Sequence, residues 1–124
     1  MKIINTTNAP APIGPYSQAV LHENTLYISG QIALHPKTGE LNMADLKTET
    51  TQVFDNIKAI LSEAGLTLNN VIKCSIFLSD MDNFAEINGY YGEQFGNHKP
   101  ARECVQVARL PKSVNVEITV IAGK

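Results

Sequence analysis

A chain of 124 residues is long enough to bury a core of its own, and it reads as one domain over residues 1–124. Hydrophobic residues make up 44% and charged residues 18%, a balance that excludes a disordered chain. The formal net charge is −2 and lysines and arginines do not cluster, so the electrostatic footprint of a nucleic-acid binder is absent.

The first residues, Met1-Lys2-Ile3-Ile4-Asn5-Thr6, lack the apolar run of a secretory signal, and no apolar run is long enough to span a bilayer. Pro10, Pro12 and Pro15 punctuate a start that is expected to be irregular through its first twelve residues. Ile13-Gly14-Pro15-Tyr16-Ser17-Gln18 then sets Tyr16 at a strand entrance, where its ring serves either core packing or a pocket. Strands are predicted near 17–22 and 25–32 around the turn-forming Glu23-Asn24, and His35-Pro36-Lys37-Thr38-Gly39 makes a further turn.

The strongest local pattern is a helix over 43–64. Leu46, Val53, Phe54, Ile57, Ile60, Leu61 and Ala64 recur at helical spacing, which leaves Glu49, Gln52, Asp55, Lys58 and Glu63 on the outer side. Asn42 or Asp45 can cap its start and Gly65 its end. A strand over 71–78 follows, with Ile72, Cys74, Ile76 and Leu78 on one apolar face, so Cys74 reads as a small core residue. A second helix over 82–95 buries Phe84, Ile87, Tyr91 and Phe95. Asn88 falls inside that stripe, where an amide bonds either backbone or something specific. Gly89, Gly92 and Gly96 are costly in a helix and suggest close packing or an early end.

Arg102 stands alone in the strand-like run Pro100-Ala101-Arg102-Glu103-Cys104-Val105-Gln106-Val107. Alternation places Arg102, Cys104 and Gln106 on one face and Glu103 and Val105 on the other. A final strand follows, in which Val114, Val116, Ile118, Val120 and Ala122 alternate with Asn115, Glu117, Thr119 and Ile121. If the two strands pair, the guanidinium, the Cys104 thiol and the Glu117 carboxyl lie together on one face. Such a constellation suits a small anionic substrate beside an acid/base. Spacing alone favours an ordinary edge salt bridge for Arg102, and the anion clamp is the alternative. Cys104 is either an activated thiolate or a residue whose backbone takes part.

Two helices and about five strands point to a two-layer α+β domain with both helices on one sheet face. The uncovered face is expected to carry Tyr27, Ser29, Gln31, Phe77, Arg102, Cys104, Glu117, Thr119 and Ile121, a mixture that calls for cover by another subunit. His22, His35 and His98 have no partner at metal-ligand spacing, so no metal is expected. No phosphate-binding loop, dinucleotide fingerprint or nucleophile elbow occurs, so no cofactor is implied. Cys74 and Cys104 lack a CxxC spacing and read as reduced thiols of a cytoplasmic protein.

Three motifs in order carry a family resemblance: Ile13-Gly14-Pro15-Tyr16-Ser17-Gln18-Ala19, then Ile28-Ser29-Gly30-Gln31-Ile32, then Pro100-Ala101-Arg102 through Ala108-Arg109-Leu110-Pro111-Lys112 with Val116-Glu117-Ile118. Over essentially the whole chain they resemble the reactive-intermediate deaminases (RidA; the YjgF/YER057c/UK114 family). The resemblance implies a chorismate-mutase-like α+β fold, a mixed sheet with two helices on one face, assembled as a homotrimer with clefts between subunits. It also implies cofactor-independent hydrolysis of 2-iminobutanoate and 2-iminopropanoate to 2-oxo acids and ammonia. These imines arise from enamines released by pyridoxal-phosphate dehydratases.

By the same resemblance Arg102 binds the substrate carboxylate, the Cys104 backbone helps to hold the nitrogen end, and Glu117 positions or activates water. Tyr16, Ser29 and Asn88 fall at pocket positions. Two departures stand out. Glu103 occupies a site where many members carry a small or apolar residue, and alternation turns it away from Arg102. Gly96-Asn97-His98-Lys99 is a shorter and less aromatic loop than in many relatives, which alters the cleft rim. A non-catalytic trimer that senses 2-oxo acids is the rival reading. An endoribonuclease or translation inhibitor is a third, and the acidic balance counts against it.

Overall fold

A computed structural model describes residues 1–124. Six strands form one sheet: β1 (Lys2–Ile4), β2 (Ala19–His22), β3 (Thr25–Gln31), β4 (Val71–Leu78), β5 (Ala101–Gln106) and β6 (Val116–Gly123). Helix α1 (Leu46–Glu63) joins β3 to β4 and helix α2 (Phe84–Phe95) joins β4 to β5. The spatial order is β1-β2-β3-β6-β4-β5, antiparallel throughout except for the parallel pair β4–β5 that α2 bridges.

This order overturns the expected pairing of the last two strands. The final strand inserts between β3 and β4, while β5 takes the edge beyond β4. The start of the chain also differs from expectation, because Lys2–Ile4 is a short strand with Ile3 opposite Val20 of β2. Three residues with no nearby turn give too little alternation to be read as a strand.

One face of the sheet carries Leu26, Ile28, Cys74, Ile76, Leu78, Val116, Ile118, Val120 and Ala122, all buried beneath the helices. Phe54 of α1 and Phe95 of α2 meet edge to face at 5.7 Å between ring centres, which locks the two helices together over that core. The first helix starts as its capping chemistry requires: Asp45 Oδ1 accepts from the Thr48 amide at 2.7 Å. Gly65, at φ 75°, turns the chain out of its far end. Close packing at Gly89 and Gly92 is not found, since a methyl group at either would meet nothing within 4 Å. Neither does α2 end early; it runs to Phe95.

A polar row on α1 is buried rather than outward. Glu49 and Asn56 are 0% exposed and Gln52 only 9%. The Glu49 carboxyl accepts from the Asn115 backbone amide at 2.8 Å and from its side-chain amide at 2.7 Å, which fixes the approach to β6. Asn42 does not cap the helix; it donates to Gln52, Gln52 donates to Asn56, and Asn56 donates to the carbonyls of Ile32 and Leu34. This ladder pins the segment after β3 to the helix layer, because a buried amide without partners is costly. Glu49→Ala removes both acceptors and leaves two donors stranded, so it is expected to cost about 2–4 kcal/mol in urea unfolding at fixed protein concentration. A loss under about 0.5 kcal/mol would show that the Glu49–Asn115 contact is not a structural tie.

Candidate functional site

The parallel register sets Arg102 opposite Cys74 and Cys104 opposite Ile76, both partners on the helix-covered face. Arg102 therefore points toward α2. Its Nη1 donates to Asn88 Oδ1 at 2.6 Å, and the guanidinium carbon lies 5.0 Å from the Tyr91 ring centre and 5.7 Å from that of Phe84. The amide inside the apolar stripe thus has a specific partner, a cation. Each cation–π contact is worth only about 0.5–1 kcal/mol at an exposed position, so their combined effect is orientation more than stability. No carboxylate pairs with Arg102. The edge salt bridge is absent, and a planar fork is held with donors to spare.

Glu117 lies opposite Phe77, on the other face of the sheet. It is half-buried and makes no hydrogen bond or ion pair to another side chain. Burial pushes its carboxyl above the ordinary value of 4.5. Gly30 of β3 packs directly on it: a methyl group at Gly30 would sit 2.9 Å from the Glu117 carboxyl carbon, so only glycine leaves the carboxyl in place. Together with Tyr16, Gln31, Ile32 and Pro111, Glu117 lines a cleft of about 400 Å³.

The roof of that cleft is the N-terminal segment, which Gln18 holds down. The Gln18 side chain accepts from the Thr6 amide at 2.7 Å and donates to the carbonyls of Thr6 and Pro10 at 3.0 and 2.9 Å. Tyr16 lines the cleft at 48% exposure, with its hydroxyl accepting from the Ile13 amide at 3.4 Å.

Arg102 and Glu117 consequently do not share a face within one chain, contrary to the expectation from sequence. Cys104 also leaves the uncovered face, while Gln31 lines the Glu117 cleft but is only 6% exposed, with its amide donating to the Ser29 carbonyl. Ser29 donates its hydroxyl to the Ser17 carbonyl at 2.6 Å and so acts as a tie between β3 and the segment before β2. Glu103 does face away from Arg102: it accepts from Ser75 and pairs with Lys73 at 2.9 Å, and these partners, Ser75 first, hold its carboxyl below the ordinary range. Gly30 and Gln18 were not singled out in the sequence. Gly30 lies inside Ile28-Ser29-Gly30-Gln31-Ile32, but a contact across strands leaves no mark on local spacing.

No three His, Cys, Asp or Glu side chains gather to hold a metal ion, and no helix is long and apolar enough to cross a membrane.

Comparison with known proteins gives a consistent picture. A family model described as Endoribonuclease L-PSP matches residues 6–124. A RutC family protein of Pyrococcus horikoshii is 55% identical over 99% of this chain and 98% of its own length. The 2-iminobutanoate/2-iminopropanoate deaminase of Escherichia coli is 48% identical over 98% of this chain and 96% of its own. Among solved structures, Escherichia coli TdcF with bound serine superposes with a TM-score of 0.95 at 44% identity, covering 100% of this chain and 99% of that one.

Neither thiol is poised for attack. Burial raises Cys104 above its ordinary 9.0, with Arg102 opposing only in part, and burial raises Cys74 likewise. A raised thiol holds less thiolate at neutral pH than a free cysteine does. Alkylation of Cys104 by iodoacetamide at pH 7.5 is expected to be slower than that of free cysteine, climbing with pH and levelling off at a higher pH than free cysteine does. Alkylation faster than the free amino acid would identify an activated thiolate instead.

Proposed function

The chain belongs to the Endoribonuclease L-PSP family, the YjgF/RidA family, and from that premise we propose that it is a 2-iminobutanoate/2-iminopropanoate deaminase. The single observation that carries the proposal is the state of Arg102. A guanidinium braced by Asn88, Tyr91 and Phe84 and free of any carboxylate is built to take a small carboxylate from solution. TdcF, a relative at 44% identity, binds serine, a ligand with that group.

The reaction asks for positioning, a water and a route for protons. Arg102 grips the α-carboxylate and orients the imine carbon. Glu117 holds a water and takes its proton as the oxygen bonds to that carbon; the C=N pair moves to nitrogen and a carbinolamine forms. Glu117 passes that proton to nitrogen and then relays the hydroxyl proton the same way, an oxygen lone pair closing C=O as the C–N bond breaks, so one water enters and one ammonia leaves with the 2-oxo acid, with no change of oxidation state. The half-buried carboxyl of Glu117 is a stronger base than a surface glutamate, which suits it to this step.

Because Arg102 faces α2 and Glu117 the opposite sheet face, the two act on one substrate only across an interface between copies. The proposed assembly is a homotrimer with three such clefts. The uncovered face supports it: Tyr27 is 49% exposed, Ile72 52% and Val105 43%, an apolar surface that suits burial against a second copy. A nucleic-acid role, named in the family description, finds no basic stripe to carry it in a chain of net charge −2.

The test is imine hydrolysis by the purified protein. An amino-acid oxidase supplies the imine, and semicarbazide traps whatever survives. Wild type is expected to suppress trapping. Glu117→Gln is expected to lower kcat by about 10²–10⁴-fold while still binding 2-oxobutanoate. Arg102→Lys should lower kcat/KM by roughly 10–100-fold, since a point charge cannot replace the fork. Full turnover by Glu117→Gln would remove the carboxyl from the chemistry. Ligand binding by wild type without any turnover would favour a sensor of 2-oxo acids.

A further inference from the structure

Arg102 is one of two cations on the rim of a second cleft, also about 400 Å³, whose floor is formed by Tyr91 and Phe95. The other cation is Lys99. No Asp or Glu lines this cleft, and neither cation has an ion-pair partner, since the salt bridges of the chain are Lys58–Asp55 and Lys73–Glu103. In a chain with 12 acidic and 10 basic residues, two unneutralised cations around one concavity are a local reversal of sign.

The segment that carries Lys99 is fixed in place. Gly96, at φ 63°, turns the chain out of α2. His98 Nε2 lies 2.7 Å from the Val71 carbonyl, which can only accept, so that nitrogen carries the hydrogen and ties the loop to the start of β4. Pro100, with its locked φ, follows Lys99 directly. Two residues separate Lys99 from Arg102, so their Cα atoms lie at most about 11 Å apart, which two long side chains bridge readily. Gly92 leaves the wall beside them open, with nothing within 4 Å of where a methyl group would stand.

We infer that this cleft selects imino acids bearing a second carboxylate, with Arg102 on the α-carboxylate and Lys99 on the distal one. The inference rests on the deaminase reading for its chemistry, while its charge preference rests on the two cations that this chain brings to the cleft. A monocarboxylate neutralises one cation and leaves the other; a dicarboxylate of four or five carbons neutralises both, with its methylenes over the aromatic floor. One such pair at a surface changes affinity by roughly fivefold.

The test compares binding of 2-oxoglutarate and 2-oxobutanoate by calorimetry, in wild type and Lys99→Met, alongside hydrolysis of the imines that oxidases make from glutamate and from 2-aminobutyrate. Wild type is expected to prefer the five-carbon diacid, and Lys99→Met to shrink the diacid-to-monoacid ratio by roughly fivefold, with Lys99→Arg restoring it. An unchanged ratio in Lys99→Met, or equal affinity of wild type for the two oxo acids, overturns the inference. If no imine is hydrolysed by any form, the deaminase reading fails, and the binding ratio still decides the matter of the second carboxylate.

Discussion

Side chains of a β-strand alternate between two faces with no intermediate setting, and in this sheet the alternation separates Arg102 from Glu117. The strand order makes the separation final. With β6 between β3 and β4, its odd-numbered residues from Glu117 onward are held on the uncovered face by pairs on both sides. With β5 parallel to β4 at the edge, Arg102 is held over α2. A one-residue slip of β6 would move Glu117 to the other face, but it would also expose Ile118 and Val120 to water. The hydrophobic core thus fixes where Glu117 points, and the pairing with β4 and the Asn88 bond set Arg102.

Each half of the chemistry has its own support. On the helix side, Asn88 and two aromatic rings hold a cation that lacks a counter-charge, so its orientation is prepared and its charge is unspent. On the uncovered side, Gly30 gives Glu117 room and the Gln18 bonds hold the N-terminal segment over the cleft. The buried row from Glu49 to Asn56 serves both, anchoring the approach to β6 and the segment after β3 to α1. These are ties between elements far apart in sequence, and they hold down residues that lie in loops.

What could be read from sequence followed from local periodicity. The first helix, its Asp45 cap and the stripe of α2 rest on spacing within one element, and spacing is enough there; in the strand over 71–78 it holds for Cys74, Ile76 and Leu78 but not for Ile72, which the register shift between Val71 and Lys73 leaves 52% exposed. Asn88 stood out because an amide breaks an apolar stripe, and its partner proved to be Arg102. The reading went astray where partners lie far apart in the chain. Consecutive strands favour a β5–β6 pair, yet the helical crossover from β4 makes β5 its parallel neighbour. Glu49 and Gln52 were placed outside because they are polar, although the same helical spacing sets them beside the apolar stripe, where Asn115 and Asn56 satisfy them.

The central claim is that one cleft takes its guanidinium from one copy and its carboxyl from another. Co-expression of Arg102→Ala and Glu117→Ala chains, followed by purification of mixed assemblies, tests it directly. Each variant alone should be inactive toward the imine. A mixed trimer of either composition has both intact groups in one cleft of its three, so the mixed assembly should regain about a third of wild-type turnover. A mixed assembly as inactive as either parent would contradict the account, because it would mean that Arg102 and Glu117 must come from the same chain.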